Sequence, residues 1–144
     1  MRIVYSKDAA VMPVARKIAN IIHAVSADDL RQMVEALSFP RHFVAQSLNN
    51  RRAAEWIAAQ FQAYGYHAFF QGQWTNVVAL PSAHFQGSIV LIGAHYDSVP
   101  DTPGADDNAS AVAAMLGCAK ALAEYNRAAP VGFVAFNREE ENLA

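Results

Sequence analysis

The sequence predicts an α/β fold, and three observations predict it. Apolar residues recur at helical spacing as far as Gly65, then give way to short β-branched and aromatic runs of strand length. Two such runs, "SIVLIGAH" and "VGFVAFN", flank an alanine-rich helical stretch, the pattern of a βαβ unit with parallel strands. The acidic residues of the second half gather beside the ends of those two strands. At 144 residues, with 53% hydrophobic and 17% charged side chains, the chain reads as one domain over 1–144, long enough to bury a core and too apolar to be disordered.

The elements follow in order. Val11, Val14, Ile18, Ile21, Ile22 and Val25 are spaced as an amphipathic helix. "SADDLRQMVEALS" is a second, with Ser26 as N-cap, acids in the first turn and Leu30, Met33, Val34 and Leu37 on one face, so residues 1–37 form a helical lead-in. Pro40 breaks the pattern. "NNRRAAEWIAAQFQAYGY" resumes it, with Ala53, Trp56, Ile57 and Phe61 inward and Gly65 as the stop. "YHAFFQ", "TNVVALP" and "SIVLIGAH" are strands, the last apolar at successive positions as expected for a strand covered on both faces. A helix over 108–125 leads to a strand over 131–136, and their crossover is expected to be right-handed. Phe69, Phe70 and Trp74 read as core, Cys118 as a buried helical thiol, and His23, His42, His67 and His84 as surface or boundary residues.

Composition excludes several classes. A net charge of −2 shows no basic footprint, so no nucleic-acid partner is expected. No stretch approaches the roughly 18 apolar residues of a membrane span. A single cysteine excludes an intramolecular disulfide and a cysteine-rich zinc module. The first residues carry charges and no uninterrupted apolar segment, which reads as a soluble cytoplasmic protein.

Between the strands lies "AHYDSVPDTPGADDNAS", with one histidine and four aspartates in seventeen positions. In open α/β sheets ligands gather beyond the carboxyl ends of parallel strands. His95 and Asp97 fall just past one predicted strand, Asp106 and Asp107 at the start of the crossover helix, and Glu139, Glu140 and Glu141 just past the next strand. An imidazole with several carboxylates is a ligand set zinc uses in hydrolytic sites, and a short aspartate can bridge two ions. A glutamate beside a metal-activated water can act as general base. Each piece also has an ordinary reading: "ADDNAS" is a good helix N-cap, and "REEEN" a solvated charge run. Only their conjunction at one sheet edge favours a site.

"GAHYDSV", "PGADDNASAVA" and, about thirty residues later, "VAFNREEENL" resemble the M28 family of zinc aminopeptidases. The lead-in from "FPRHF" through "TNVVALP" is similar too, so the resemblance spans residues 38–143. It implies a three-layer α/β/α sandwich of the phosphorylase/hydrolase-like kind, with a mixed, mostly parallel sheet, incomplete at the C-terminus. It implies removal of an N-terminal residue from a peptide substrate with two zinc ions. His95 then matches a zinc ligand, Asp97 the carboxylate that orients it, Asp107 the bridging ligand, Glu139 the general acid/base and Glu140 the ligand of the second zinc. A slip of one would assign Glu140 and Glu141 to the last two roles. A cis peptide is implied after Asp107. The family continues past the glutamates to supply an Asp and a His to the zinc ions, whereas this chain ends at Ala144, so it is expected to be a fragment or truncated product. Its uncovered sheet edge would favour self-association into a homo-oligomer. A glutaminyl-cyclase-like acyltransferase with one zinc, and a non-catalytic interaction module, are the alternatives on the same fold.

Overall fold

The structure, a computed structural model, describes residues 21, 23–123 and 130–143. Most of the first predicted helix, over 11–25, lies outside them.

Helix α1 (Ala27–Leu37) begins where the sequence places it. Ser26 is extended, its Oγ accepts from the Asp29 amide at 3.1 Å, and Asp29 Oδ2 accepts from the Ser26 amide at 2.9 Å. This reciprocal capping box satisfies two amides that the first turn leaves without partners. Lys120 donates to Asp29 at 2.9 Å, tying α1 to the later crossover helix. Helix α2 (Ser47–Ala63) buries Ala53, Ala54, Ile57, Ala58 and Phe61. It ends at Gly65, whose φ of +86° lies in the left-handed region that a side chain disfavours.

Strands β1 (His67–Gln71) and β2 (Asn76–Leu80) form an antiparallel hairpin. Strand β3 (Val90–His95) leads through the acidic loop to helix α3 (Ala111–Leu122) and then strand β4 (Val131–Phe136). The sheet order is β1-β2-β4-β3, with β3 and β4 parallel as the βαβ reading requires. Strand β2 pairs antiparallel with β4. The expectation of a mostly parallel sheet is therefore corrected: one parallel pairing stands beside two antiparallel ones. The reason is the short turn after Gln71, which returns the chain directly alongside β1, whereas a parallel partner needs a long crossover.

Helices α2 and α3 cover one face. Phe61 stacks on Phe133 with ring centroids 5.5 Å apart, and the Tyr66 hydroxyl donates to Ala119 O at 3.2 Å. Truncating a core ring such as Phe61 to alanine costs about 3–5 kcal/mol. Alternate residues point to the other face, where no described helix packs. Leu91 is 55% and Phe136 47% exposed there, the Phe136 ring lying over Gly93. The three-layer expectation is thus met by two layers among the described residues. Strand β3 is the sheet edge and is largely exposed, not covered on both faces. Three smaller expectations also change. Cys118 is exposed, because it lies on the outward side of α3 beside Ala114. Phe70 and Trp74 are about half exposed at the hairpin turn, and His42, within the loop that follows α1, is buried.

Candidate metal centre

Strand β3 ends by delivering His95 to the carboxyl edge of the sheet, paired in register with Phe136 at the end of β4. Parallel strands end together, so the residues after both lie side by side. The ladder runs one step further, with the Tyr96 amide donating to Phe136 O at 2.8 Å. Asp97 follows, fully buried, and accepts from the amides of Glu139 at 3.3 Å and Glu140 at 3.1 Å. One carboxylate thus holds the start of the glutamate turn (Glu139–Leu143) against the histidine loop.

The acidic loop returns through Gly104, whose φ is +54°. A Cβ at this position would stand 2.7 Å from Asp107 O and 2.8 Å from the Ser98 Cβ, so only glycine fits. The turn over Ala105–Ser110 is wide, closed by the Ala109 amide on Gly104 O at 3.0 Å, and inside it Asp107 is extended, not helical. The Asp107–Asn108 peptide is cis. This geometry departs from the simple N-cap reading of "ADDNAS" and turns the Asp107 carboxylate back onto His95, whose Nε2 stands 3.0 Å from Asp107 Oδ1. Asp106 remains exposed, and its carbonyl accepts from the Ser110 hydroxyl at 2.6 Å.

His95, Asp107 and Glu140 converge: one candidate ligand atom from each lies within 4.8 Å of the others. Glu140 is 2% exposed, and its Oε1 has no hydrogen-bond partner. Burial and the charges of Asp107 and Glu139 raise the Glu140 pKa, so the site lacks positive charge. An orphaned buried carboxylate oxygen beside an imidazole and a second carboxylate fits a divalent cation, which would relieve both deficits. His95 Nδ1 lies 3.4 Å from Asp97 Oδ1, close enough to orient the ring though off the line of a good hydrogen bond. Asp97 raises the His95 pKa against the desolvation that lowers it. Burial pushes Asp97 upward, but the imidazole and the two amides prevail and hold it below the usual carboxylate range. Glu139 is exposed beside the cluster, and Glu141 faces Arg138.

Two features have no counterpart in the sequence reading. Arg41, just beyond Pro40, is completely buried, its guanidinium within hydrogen-bond distance of five carbonyls: Leu37, Phe39, Tyr96, Pro103 and Gly104. It clamps both ends of the acidic loop to the end of α1. Burial lowers its pKa to about 10, against the pull of Asp97 and Asp107, so it stays charged. The second is an amide pair, buried Asn50 with half-buried Asn137, behind the glutamate turn. Neither carries a sequence signal, because carbonyls and amides are partners any segment can supply.

The fold and this cluster define an α/β protein with a histidine–carboxylate constellation of metal-binding type at the carboxyl edge of its sheet. Residues 76–144, just under half of the chain, match the family described as Peptidase family M28. The chain is similar to the uncharacterized protein YfbL of Escherichia coli, 37% identical over an alignment 106 residues long that covers 64% of this chain and 32% of the relative. It is 46% identical over 55 residues to the aminopeptidase YwaD of Bacillus subtilis, covering 38% of this chain and 12% of the relative. Among solved structures, LapB from Legionella pneumophila matches with a TM-score of 0.74 and 25% identity, over 94% of this chain and 41% of that one. A glutaminyl cyclase from Macrostomum lignano shares the fold at a TM-score of 0.69 and 21% identity, over 93% and 44%. The chain therefore spans about a third or less of these curated relatives and under half of these solved ones.

Proposed function

We propose that this chain is the metal-holding part of an aminopeptidase, acting on the free N-terminus of a peptide. The observation that carries the reading is the convergence of His95, Asp107 and Glu140 with a buried, unpartnered Glu140 oxygen. In it, His95, Asp107 and Glu140 would hold the zinc. Bound zinc would supply Lewis-acid polarisation of a carbonyl and acidification of a water. The chain's own residues do the rest. Asp97 orients the His95 ring and pins the glutamate turn. Glu139, exposed next to the cluster, takes a proton from water and returns it to the departing amine. Asp107 and Glu139 give the site a negative rim that favours a substrate's protonated α-amine.

The test is metal uptake by protein purified without chelator. Stoichiometric zinc, lost in His95→Ala, together with release of N-terminal residues from short peptides, is the expected result. No uptake at micromolar zinc overturns the reading. Cyclisation of a peptide with N-terminal glutamine, without hydrolysis, would replace it by the acyltransferase chemistry of the glutaminyl cyclases.

A further inference from the structure

Asn50, one turn into α2, is 5% exposed, and its amide is fully used. Its Nδ2 donates to Arg41 O at 2.9 Å and to Asn137 Oδ1 at 3.0 Å. Its Oδ1 accepts from Asn137 Nδ2 at 2.9 Å and stands 3.4 Å from the Tyr96 hydroxyl. Asn137 is as fully committed. Its Nδ2 also donates to Trp74 O at 2.7 Å, its Oδ1 accepts from the Arg138 amide at 3.1 Å, and its own amide donates to Asn76 Oδ1 at 3.0 Å. Two primary amides pairing reciprocally leave no lone donor or acceptor in the interior.

We infer that Asn50 is the positioning residue that sets the spacing between the histidine–aspartate loop and the glutamate turn; this rests on the metal-site reading above. The connection runs in two directions. Through Asn137 it holds Arg138 in a left-handed conformation, φ +68°, the bend that turns the chain so that the amides of Glu139 and Glu140 meet Asp97. Through the Arg41 carbonyl it fixes the residue whose guanidinium grips Tyr96, Pro103 and Gly104, the frame of the loop that carries Asp107. The Tyr96 hydroxyl, which donates to Thr75 O at 2.9 Å and packs 3.4 Å from Asn50 Oδ1, comes from the residue that separates His95 from Asp97. One side chain thus touches supports of all three converging groups without touching any of them. A small apolar residue would leave the Arg41 carbonyl and the Asn137 amide without these partners and the two loops free to slide relative to each other.

The experiment is a titration with Co²⁺ followed by its visible absorption, which reports ligand geometry, with zinc competition for affinity. Wild type, Asn50→Ala, Asn137→Ser, the double variant and Phe61→Leu are compared. Residues that orient metal ligands typically change affinity by about 10–100-fold, so Asn50→Ala is expected to weaken binding by that factor and to shift the cobalt spectrum. The double variant should lose no more than Asn50→Ala, because the two amides act as one unit. Phe61→Leu, in the same helix but outside the network, should lower the melting temperature and leave affinity and spectrum unchanged. Asn137→Ser, at a partly exposed position, reads the same coupling if Asn50→Ala does not fold. Wild-type binding with both amide variants within twofold of it overturns the inference and leaves the metal-site reading standing. No uptake of either metal by wild type overturns both.

Discussion

Replacing Arg41 with lysine keeps the charge and much of the length, and tests whether the acidic loop depends on the guanidinium's shape. The guanidinium serves five carbonyls, at 2.6 Å (Tyr96 and Leu37), 2.7 Å (Pro103), 2.8 Å (Gly104) and 3.2 Å (Phe39). An ammonium has three donors on one atom and cannot span the fork, so at least two carbonyls lose their partner. A buried polar group left unpaired costs about 1–3 kcal/mol. Counting one strong and one weak loss, Arg41→Lys should destabilise the fold by about 2–4 kcal/mol, a large share of a typical domain's stability. In urea unfolding this moves the midpoint down by about 1–2 M with little change in slope. Zinc affinity should fall as well, since the loop bearing Asp107 loses its frame. A midpoint within about 0.3 M of wild type would refute the reasoning, because the carbonyls would then be satisfied without the fork.

Gly104→Ala places a Cβ 2.7 Å from Asp107 O at a left-handed φ, so it should cost about 1–3 kcal/mol in unfolding and reduce zinc uptake, whereas Ala105→Gly next to it should spare uptake. Asp29, held down to about 2 chiefly by the Ser26 amide and then by Lys120, stabilises α1 in full above its ordinary value of 3.8. That contribution falls away as the pH drops through the folded-state value, so the stability difference between wild type and Asp29→Asn should be constant near neutrality and vanish below about pH 2. Glu139→Gln should leave zinc uptake within twofold and cut aminopeptidase turnover by about 10²–10⁴-fold, while Glu140→Gln should cut uptake itself. Equal uptake losses in the two would exchange the roles assigned to these neighbours.

Much of the fold was legible because its signals are local. The Ser26 cap with its first-turn acids, the Gly65 stop and the apolar run at 131–136 each announce an element with chemistry inside a few residues, and the elements lie there. Coverage of a strand is not local. "SIVLIGAH" is apolar enough for a central strand yet forms the edge, because its length and composition are the same whether or not a neighbour lies beyond it. Cys118 and Trp74 fail for the same reason: helix and hairpin patterns give a face, not what sits against it. At the site, the carboxyl-edge rule led to the three acid-rich clusters, and the M28 resemblance singled out His95, Asp107 and Glu140 within them, which the structure brings together. The supports stayed hidden. Arg41 bonds to carbonyls and Asn50 to another amide, so nothing in the residue types around them marks their partners.

All three converging groups come from a single βαβ unit, and β1 and β2 contribute none. In polymer terms, metal held jointly by His95, Asp107 and Glu140 would be a clip across the ends of a contiguous stretch of chain. Treated like a covalent cross-link, closing a loop of that length removes unfolded-chain entropy equivalent to about 4 kcal/mol. The benefit is confined to the enclosed stretch, since the segments before it gain no new constraint. Loaded and unloaded forms should therefore differ in cooperativity as well as in stability, with hydrogen exchange slowed across β3, α3 and β4 and little changed in the hairpin.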